Sequence, residues 1–100
     1  MSLPPRDHHI SLDDAVALVQ RHRAGAAIQA GAFAKDQLLE VLNQAACAGL
    51  RLYHGRDAAG LPTLVVVGMD KDGNDLTSGT LLEYNIPCPP FCGAANALNS

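Results

Sequence analysis

The sequence predicts a small α+β domain in which two helices pack on one face of a small antiparallel sheet. Two segments have the apolar spacing of amphipathic helices, and two later segments alternate or are β-branched, as strands are. One hundred residues, 48% of them hydrophobic, suffice for one core. We therefore expect a single domain, with residues 1–10 as an extended arm, 11–84 as the α+β core and 85–100 as an irregular tail rich in proline and cysteine.

The first helix is predicted to begin after Ser11. The segment Ser11-Leu12-Asp13-Asp14 places a hydroxyl at the N-cap and an acid three residues later, which is a capping-box pattern. Apolar residues then recur at helical spacing up to a cationic last turn, and Gly25 is a natural stop. A second helix is predicted from about residue 34 to 48, ending at Gly49, because its leucines and alanines keep the same spacing.

The strands are predicted from the segments around and after the second helix. Residues 26–33 alternate, but mostly through alanine, a poor strand former, so they indicate a weak strand or an extended link. Residues 50–54 alternate apolar with amphipathic side chains, and 64–67 form a β-branched run typical of a central strand. The glycine-punctuated segment 55–62 between them indicates a hairpin loop.

The acid-rich segment Asp70–Asp75 has the chemistry of a tight turn, which would lead into an extended piece around Leu76. Residues 80–84 fit either a strand or a helical turn. A calcium loop is the alternative for the acids, but Gly73 stands fourth from Asp70, where an EF-hand needs its glycine at position six. The segment therefore predicts a solvated turn.

Charge and hydropathy exclude several classes of partner. The net charge is −3 and the largest basic cluster is Arg21-His22-Arg23, so we expect no nucleic-acid partner. No run of eighteen apolar residues and no apolar signal region occurs, which predicts a cytoplasmic protein without a membrane partner. A protein partner or self-association is left as the expected interaction.

No catalytic motif is present. The sequence has no glycine elbow, no Ser-x-x-Lys and no glycine-rich phosphate loop, so it predicts neither catalytic nor cofactor-binding residues and favours a protein that is not an enzyme. Among the histidines, His54 is the one that stands close in sequence to other chemically useful groups: Cys47, Arg51 and Tyr53. We expect these groups near a helix-to-strand junction.

The segment Cys88-Pro89-Pro90-Phe91-Cys92 allows four interpretations. Both cysteines could join Cys47 and His54, or a histidine of the arm, around a structural zinc ion. They could cycle between dithiol and disulfide. One of them could pair with Cys47 and staple the tail to the core. In the fourth interpretation the thiols are only small buried apolar groups. Three cysteines without an export signal argue against a disulfide framework, and the sequence leaves the four interpretations open.

Several of these segments together resemble a family of short uncharacterised bacterial proteins. The resemblance is carried by a junction with cysteine, glycine, arginine and tyrosine within 39–53, by 66–70 and 74–76, and by the terminal Cys-Pro-Pro-x-Cys motif. It covers most of the chain from about Ser11 onward and implies a bacterial origin, but no reaction. It also groups one set of residues as a candidate site: Cys47, Arg51, Tyr53, Cys88 and Cys92.

The functional expectation is a small intracellular accessory or protein-binding module without catalysis of its own. A rigid, proline-framed segment of this kind is typical of surfaces that dock to partners. The alternative is a zinc-binding or thiol-redox protein that uses Cys47, Cys88 and Cys92.

Overall fold

The computed structural model describes residues 3–99, in which two helices and five strands form two separate antiparallel sheets. The α+β class is confirmed, although the strands divide into two sheets where one was expected. The elements are α1 Leu12–Arg23, β1 Ala30–Ala32, α2 Lys35–Leu42, β2 Gly49–Arg56, β3 Pro62–Met69, β4 Leu81–Leu82 and β5 Ile86–Cys88.

The chain forms two compact units. The first unit contains residues 3–5 and Phe33–Asn85, with α2 and the three-stranded sheet β2-β3-β4. The second unit contains Arg6–Ala32 and residues 86–99, with α1 and the two-stranded sheet β1-β5. The two predicted helices thus belong to different units, and only α2 shares a unit with the larger sheet.

The predicted N-terminal arm and first helix are confirmed for the described residues. Residues 3–10 contain neither helix nor strand, and the arm's first two residues lie outside the described range. The Ser11 hydroxyl accepts a 3.1 Å hydrogen bond from the backbone N–H of Asp14, as the capping pattern predicts. After the helix, Gly25 adopts a φ of 77°, which ends it as expected.

Helix α2 ends at Leu42, six residues before the predicted end at residue 48, because Gln44 redirects the chain. The Gln44 side-chain amide donates to the carbonyl of Val41 at 2.8 Å, and the backbone N–H of Gln44 donates to the same carbonyl at 3.4 Å, so this residue serves a carbonyl at the end of the helix twice. Its side-chain oxygen accepts from the backbone N–H of Thr80 at 3.1 Å. The predicted extension was therefore wrong. The alanines of 45–48 have helical spacing but are exposed.

The two central strands form a hairpin that is longer than predicted. Eight residue pairs run from Gly49 opposite Met69 to Arg56 opposite Pro62. In the loop that joins the strands, one carboxylate oxygen of Asp57 accepts from two backbone N–H groups at 2.9 Å each. Helix α2 packs against this sheet, and Val41, Val66 and Val67 are the buried apolar residues of the first unit within the described range.

The acid-rich turn is confirmed. The Asp70 carboxylate accepts from the backbone N–H groups of Asp72 and Asn74 at 2.9 Å each, and Gly73 adopts a φ of 85°. These hydrogen bonds, the one from Asn74 above all, lower the pKa of Asp70 below its ordinary value. The extended piece that follows is also present, since the backbone N–H of Leu76 donates to the carbonyl of Gly68 at 2.8 Å.

The small sheet of the second unit changes the expected picture of the tail. The weak strand is confirmed as β1, whereas the tail is not wholly irregular, because Ile86–Cys88 pairs with Ala30–Ala32. Pro87 stands opposite Gly31 in this pair. A proline is tolerated in a strand at a sheet edge, where its missing N–H breaks no central ladder. No helix among the described residues is long and apolar enough to cross a membrane.

Candidate functional site

The two tail cysteines are bonded to each other. A disulfide joins Cys88 to Cys92, with 4.7 Å between their Cα atoms, and Cys47 is free. The loop is also closed by a 3.0 Å hydrogen bond from the backbone N–H of Phe91 to the carbonyl of Pro87. The interpretation in which a disulfide to Cys47 staples the tail to the core is therefore wrong. The disulfide closes a short loop within the tail.

A groove of about 350 Å³ lies beside this disulfide, entirely within the second unit. Strand β1 and Val19 of α1 form part of its lining, and both cysteines of the disulfide line it as well. Ligand pockets begin at about this volume, so the groove has room for one or two side chains of a partner. The large apolar side chains that line it and are exposed are those of Ile86, Phe91 and Leu98.

Asparagine side chains hold the segment after the disulfide in place. Asn99 donates its side-chain N–H groups to the carbonyls of Cys92 at 3.0 Å and Ala94 at 3.1 Å. In return, its side-chain oxygen accepts from the backbone N–H of Asn96 at 2.8 Å. Arg23 of α1 donates to the carbonyl of Leu98 at 3.1 Å. This end of the tail thereby forms an ordered wall of the groove.

Asn96 and Asn99 were not among the candidate residues from the sequence. The signal that could have found them is their spacing in Asn96-Ala97-Leu98-Asn99, since asparagine side chains bond readily to nearby backbone groups. The backbone N–H of Leu98 donates to the Asn96 side chain at 2.8 Å, which is such a local bond.

The first unit contains a second group of candidate residues. Arg51 and Tyr53 stand two residues apart on β2, on the same face of the sheet, and both contact Asp75. The Arg51 guanidinium donates to one carboxylate oxygen at 2.6 Å and to the carbonyl of Gly73 at 2.9 Å. The Tyr53 hydroxyl donates to the other oxygen.

These contacts move the pKa values in this cluster away from neutrality. The Tyr53 hydrogen bond, followed by Arg51, lowers the pKa of Asp75 and outweighs the effect of partial burial. The same hydrogen bond raises the pKa of Tyr53. A general acid or base works best with a pKa near the operating pH. The cluster is therefore suited to holding the acidic turn against the hairpin, and less suited to proton transfer.

Asp75 was absent from the candidates because its position depends on the turn folding back over β3. The bridge between Met69 and Asp75 fixes that position. No local sequence pattern predicts the position of Asp75, because its hydrogen bonds to Arg51 and Tyr53 join residues that are 24 and 22 positions apart.

The remaining candidates, Cys47 and His54, belong to the first unit. Cys47 is half-buried in the first unit, where its thiol donates to the carbonyl of Gly49 at 3.2 Å, and His54 is exposed on β2. Within residues 3–99, no group of three or more histidine, cysteine or acidic side chains could hold a metal ion. A cysteine binds zinc as a thiolate, which Cys88 and Cys92 do not supply while they form a disulfide. The zinc hypothesis stays a prediction for the reduced protein.

Comparison with known proteins identified no matching family model, no similar curated protein and no similar solved structure. The resemblance to short bacterial proteins with a terminal Cys-Pro-Pro-x-Cys motif therefore also stays a prediction.

Proposed function

We propose that this chain is a small, non-catalytic bacterial protein-binding module of the cytoplasm, and that the groove beside the disulfide receives an extended apolar segment of a partner protein. The observation that supports this function is the exposure of the apolar side chains that line the groove. Phe91 is 67% exposed, Ile86 50% and Leu98 42%. Large apolar side chains gathered at one concave surface are typical of interaction sites.

The frame of the groove supports the same proposal. The disulfide ties Phe91 into a short loop, and Asn99 ties the following segment to Cys92. A surface that is already ordered loses little conformational entropy when a partner binds. Covering one large apolar side chain contributes roughly 1.5–3 kcal/mol, so two or three of them support a measurable affinity.

Peptide binding tests this function. Peptides selected on the oxidised protein from a random library should be apolar and extended, and their Kd should be measured by calorimetry. We expect Phe91→Ser to weaken binding by roughly 2 kcal/mol, or about thirtyfold. Leu12→Ser is the matched control, because Leu12 is 59% exposed in the same unit but does not line the groove.

Three outcomes would contradict the proposal. The first is that selection yields no peptide, and the second is that Leu12→Ser weakens binding as much as Phe91→Ser. The third is self-association through the groove, seen as a dimer in light scattering that Phe91→Ser dissociates. Nucleic acid is not a proposed partner, because the chain carries a net charge of −3.

The second candidate function is thiol-disulfide redox activity, and the Cys88–Cys92 bond favours it. In a reducing cytoplasm, disulfides are usually transient and serve catalysis or redox sensing. Rapid acid quenching of cells, alkylation of free thiols and mass analysis would measure the oxidised fraction. A redox function predicts that this fraction changes when oxidant or reductant is added to the cells. A constant fraction would contradict it.

A further inference from the structure

We propose that Cys92 is the sulfur at which an external thiolate attacks this disulfide, so that the mixed disulfide forms on Cys92 and Cys88 is released. This inference rests on the thiol-redox candidate function and does not depend on peptide binding. The ligand class is a thiolate, supplied by a small molecule or by a cysteine of a partner protein.

The two sulfurs belong to residues with different surroundings. Cys88 is 7% exposed and is paired with Ala30 in the small sheet, and its carbonyl accepts from the backbone N–H of Gln29 at 2.7 Å. Cys92 lies beyond the end of β5, is only half-buried, and follows the exposed Phe91. Which sulfur reacts depends strongly on access. An incoming thiolate therefore reaches Cys92 more readily than Cys88.

The geometry of the exchange assigns the leaving group. Exchange proceeds through attack on one sulfur and departure of the other. Attack on Cys92 forms a bond between the external sulfur and Cys92, and breaks the bond between Cys92 and Cys88. The bonding electrons leave with Cys88 as a thiolate, which then takes a proton from water.

Two routes complete the reaction. Cys88 can attack Cys92 again, which expels the external thiolate and restores the starting disulfide. Alternatively, a second external thiol can attack the mixed disulfide, which leaves both protein cysteines reduced and releases a disulfide of the two external thiols. Cys88 is thus the resolving residue. Its fixed place in β5 keeps it next to the loop that carries Cys92.

The experiment uses the full chain with Cys47→Ser, which removes the third thiol. Serine can keep the hydrogen bond that Cys47 donates to the carbonyl of Gly49. The oxidised protein is exposed briefly to glutathione, quenched in acid, alkylated and mapped by mass spectrometry. We expect glutathione on Cys92 and the alkyl group on Cys88 in an excess of at least about tenfold over the reverse pattern.

A second measurement removes the effect of later exchange between the two cysteines. In the Cys47→Ser background, Cys88→Ser leaves only Cys92, and Cys92→Ser leaves only Cys88. Reaction with a chromogenic aromatic disulfide should be about tenfold faster for Cys92 in native buffer, and equal for both in denaturant. The denatured rates control for intrinsic reactivity.

The outcomes separate the inference from the function on which it rests. Glutathione found mainly on Cys88, or equally on both cysteines, overturns the assignment and leaves a redox function standing. A disulfide that does not exchange with glutathione at all overturns both. Equal native rates for the two single-thiol variants also overturn the assignment.

Discussion

The side-chain oxygen of Gln44 lies 1.8 Å from the position that a Cβ atom on Gly79 would occupy. A larger residue at position 79 would therefore clash with the Gln44 side chain, which also lies at the end of α2. Gln44 links the end of that helix to the segment before β4 through its bonds to Val41 and Thr80. A single polar side chain thus positions two parts of the first unit.

Gly79→Ala should destabilise the protein because the added methyl group displaces the Gln44 amide. The amide can move, since it is the end of a flexible side chain, but it then loses its bonds to Val41 and Thr80. Each such bond contributes about 1 kcal/mol, so we expect a loss of roughly 1–2 kcal/mol in the free energy of unfolding. Urea denaturation monitored by circular dichroism measures it.

The control for this effect is the Gln44→Ala background. Without the Gln44 amide the methyl group has nothing to displace, so Gly79→Ala should cost only a few tenths of a kcal/mol there. An equal cost in both backgrounds would show that the glycine serves another purpose.

Asp75→Asn should lower stability more near neutral pH than at low pH. The folded pKa of Asp75 lies below its unfolded value of about 3.9. The ionised group therefore stabilises the fold above about pH 4, and this contribution is lost as the pH falls through the folded pKa. The urea midpoints of wild type and Asp75→Asn should differ at pH 7, and the difference should be smaller at pH 3.

Asp72→Asn is the matched control, because Asp72 stands exposed in the preceding turn and its side chain has no hydrogen-bond partner among the described residues. Its midpoint should follow the wild type at both pH values. A difference between wild type and Asp75→Asn that grows on acidification would contradict the role given to Asp75.

Helix α1 could be predicted to within one residue at its start because its signals are local. The Ser11 hydroxyl accepts a hydrogen bond from the backbone N–H of Asp14, three residues away, and Gly25 follows the last turn directly. The end of α2 could not be predicted, because the bond between Gln44 and Thr80 joins residues 36 positions apart. Propensity favoured a longer helix, and a tertiary contact overrode it.

In the candidate sites too, the sequence predicted what depends on nearby residues and did not predict what depends on distant ones. Cys88 and Cys92 were recognisable because they are four residues apart, so a short loop could join them. Arg51 and Tyr53 were recognisable as polar side chains on a strand, but Asp75, which binds both, is positioned only after the turn has folded over the sheet. Arg51 and Tyr53 contact Asp75 because the acid-rich turn folds the chain back over the sheet. The sequence indicates that turn, but not which side chains it brings into contact.

The oxidised protein should retain no zinc at the tail cysteines, because zinc binds thiolates and the disulfide provides none. If the zinc hypothesis holds, reduction should allow one zinc ion to bind per chain. A chelator should then lower the Tm of the reduced protein, and Cys88→Ser should remove this effect of the chelator. Elemental analysis of protein purified without a histidine tag measures the metal content. Zinc retained equally by the oxidised protein would contradict this prediction, and none in the reduced protein would refute the zinc hypothesis.

The ionisation of Tyr53 should report directly on its hydrogen bond to Asp75. That bond is the largest cause of the raised pKa of Tyr53, because the neutral hydroxyl can donate to the carboxylate and the ionised one cannot. The chain has two tyrosines, so Tyr84→Phe leaves Tyr53 as the single absorbing phenol. In that background, Asp75→Asn should lower the Tyr53 pKa toward its ordinary value near 10 in an ultraviolet titration. Asp72→Asn should leave the titration curve in place. An unchanged curve with Asp75→Asn would mean that the hydroxyl does not donate to Asp75 in solution, and that Arg51 alone holds the acidic turn against the hairpin.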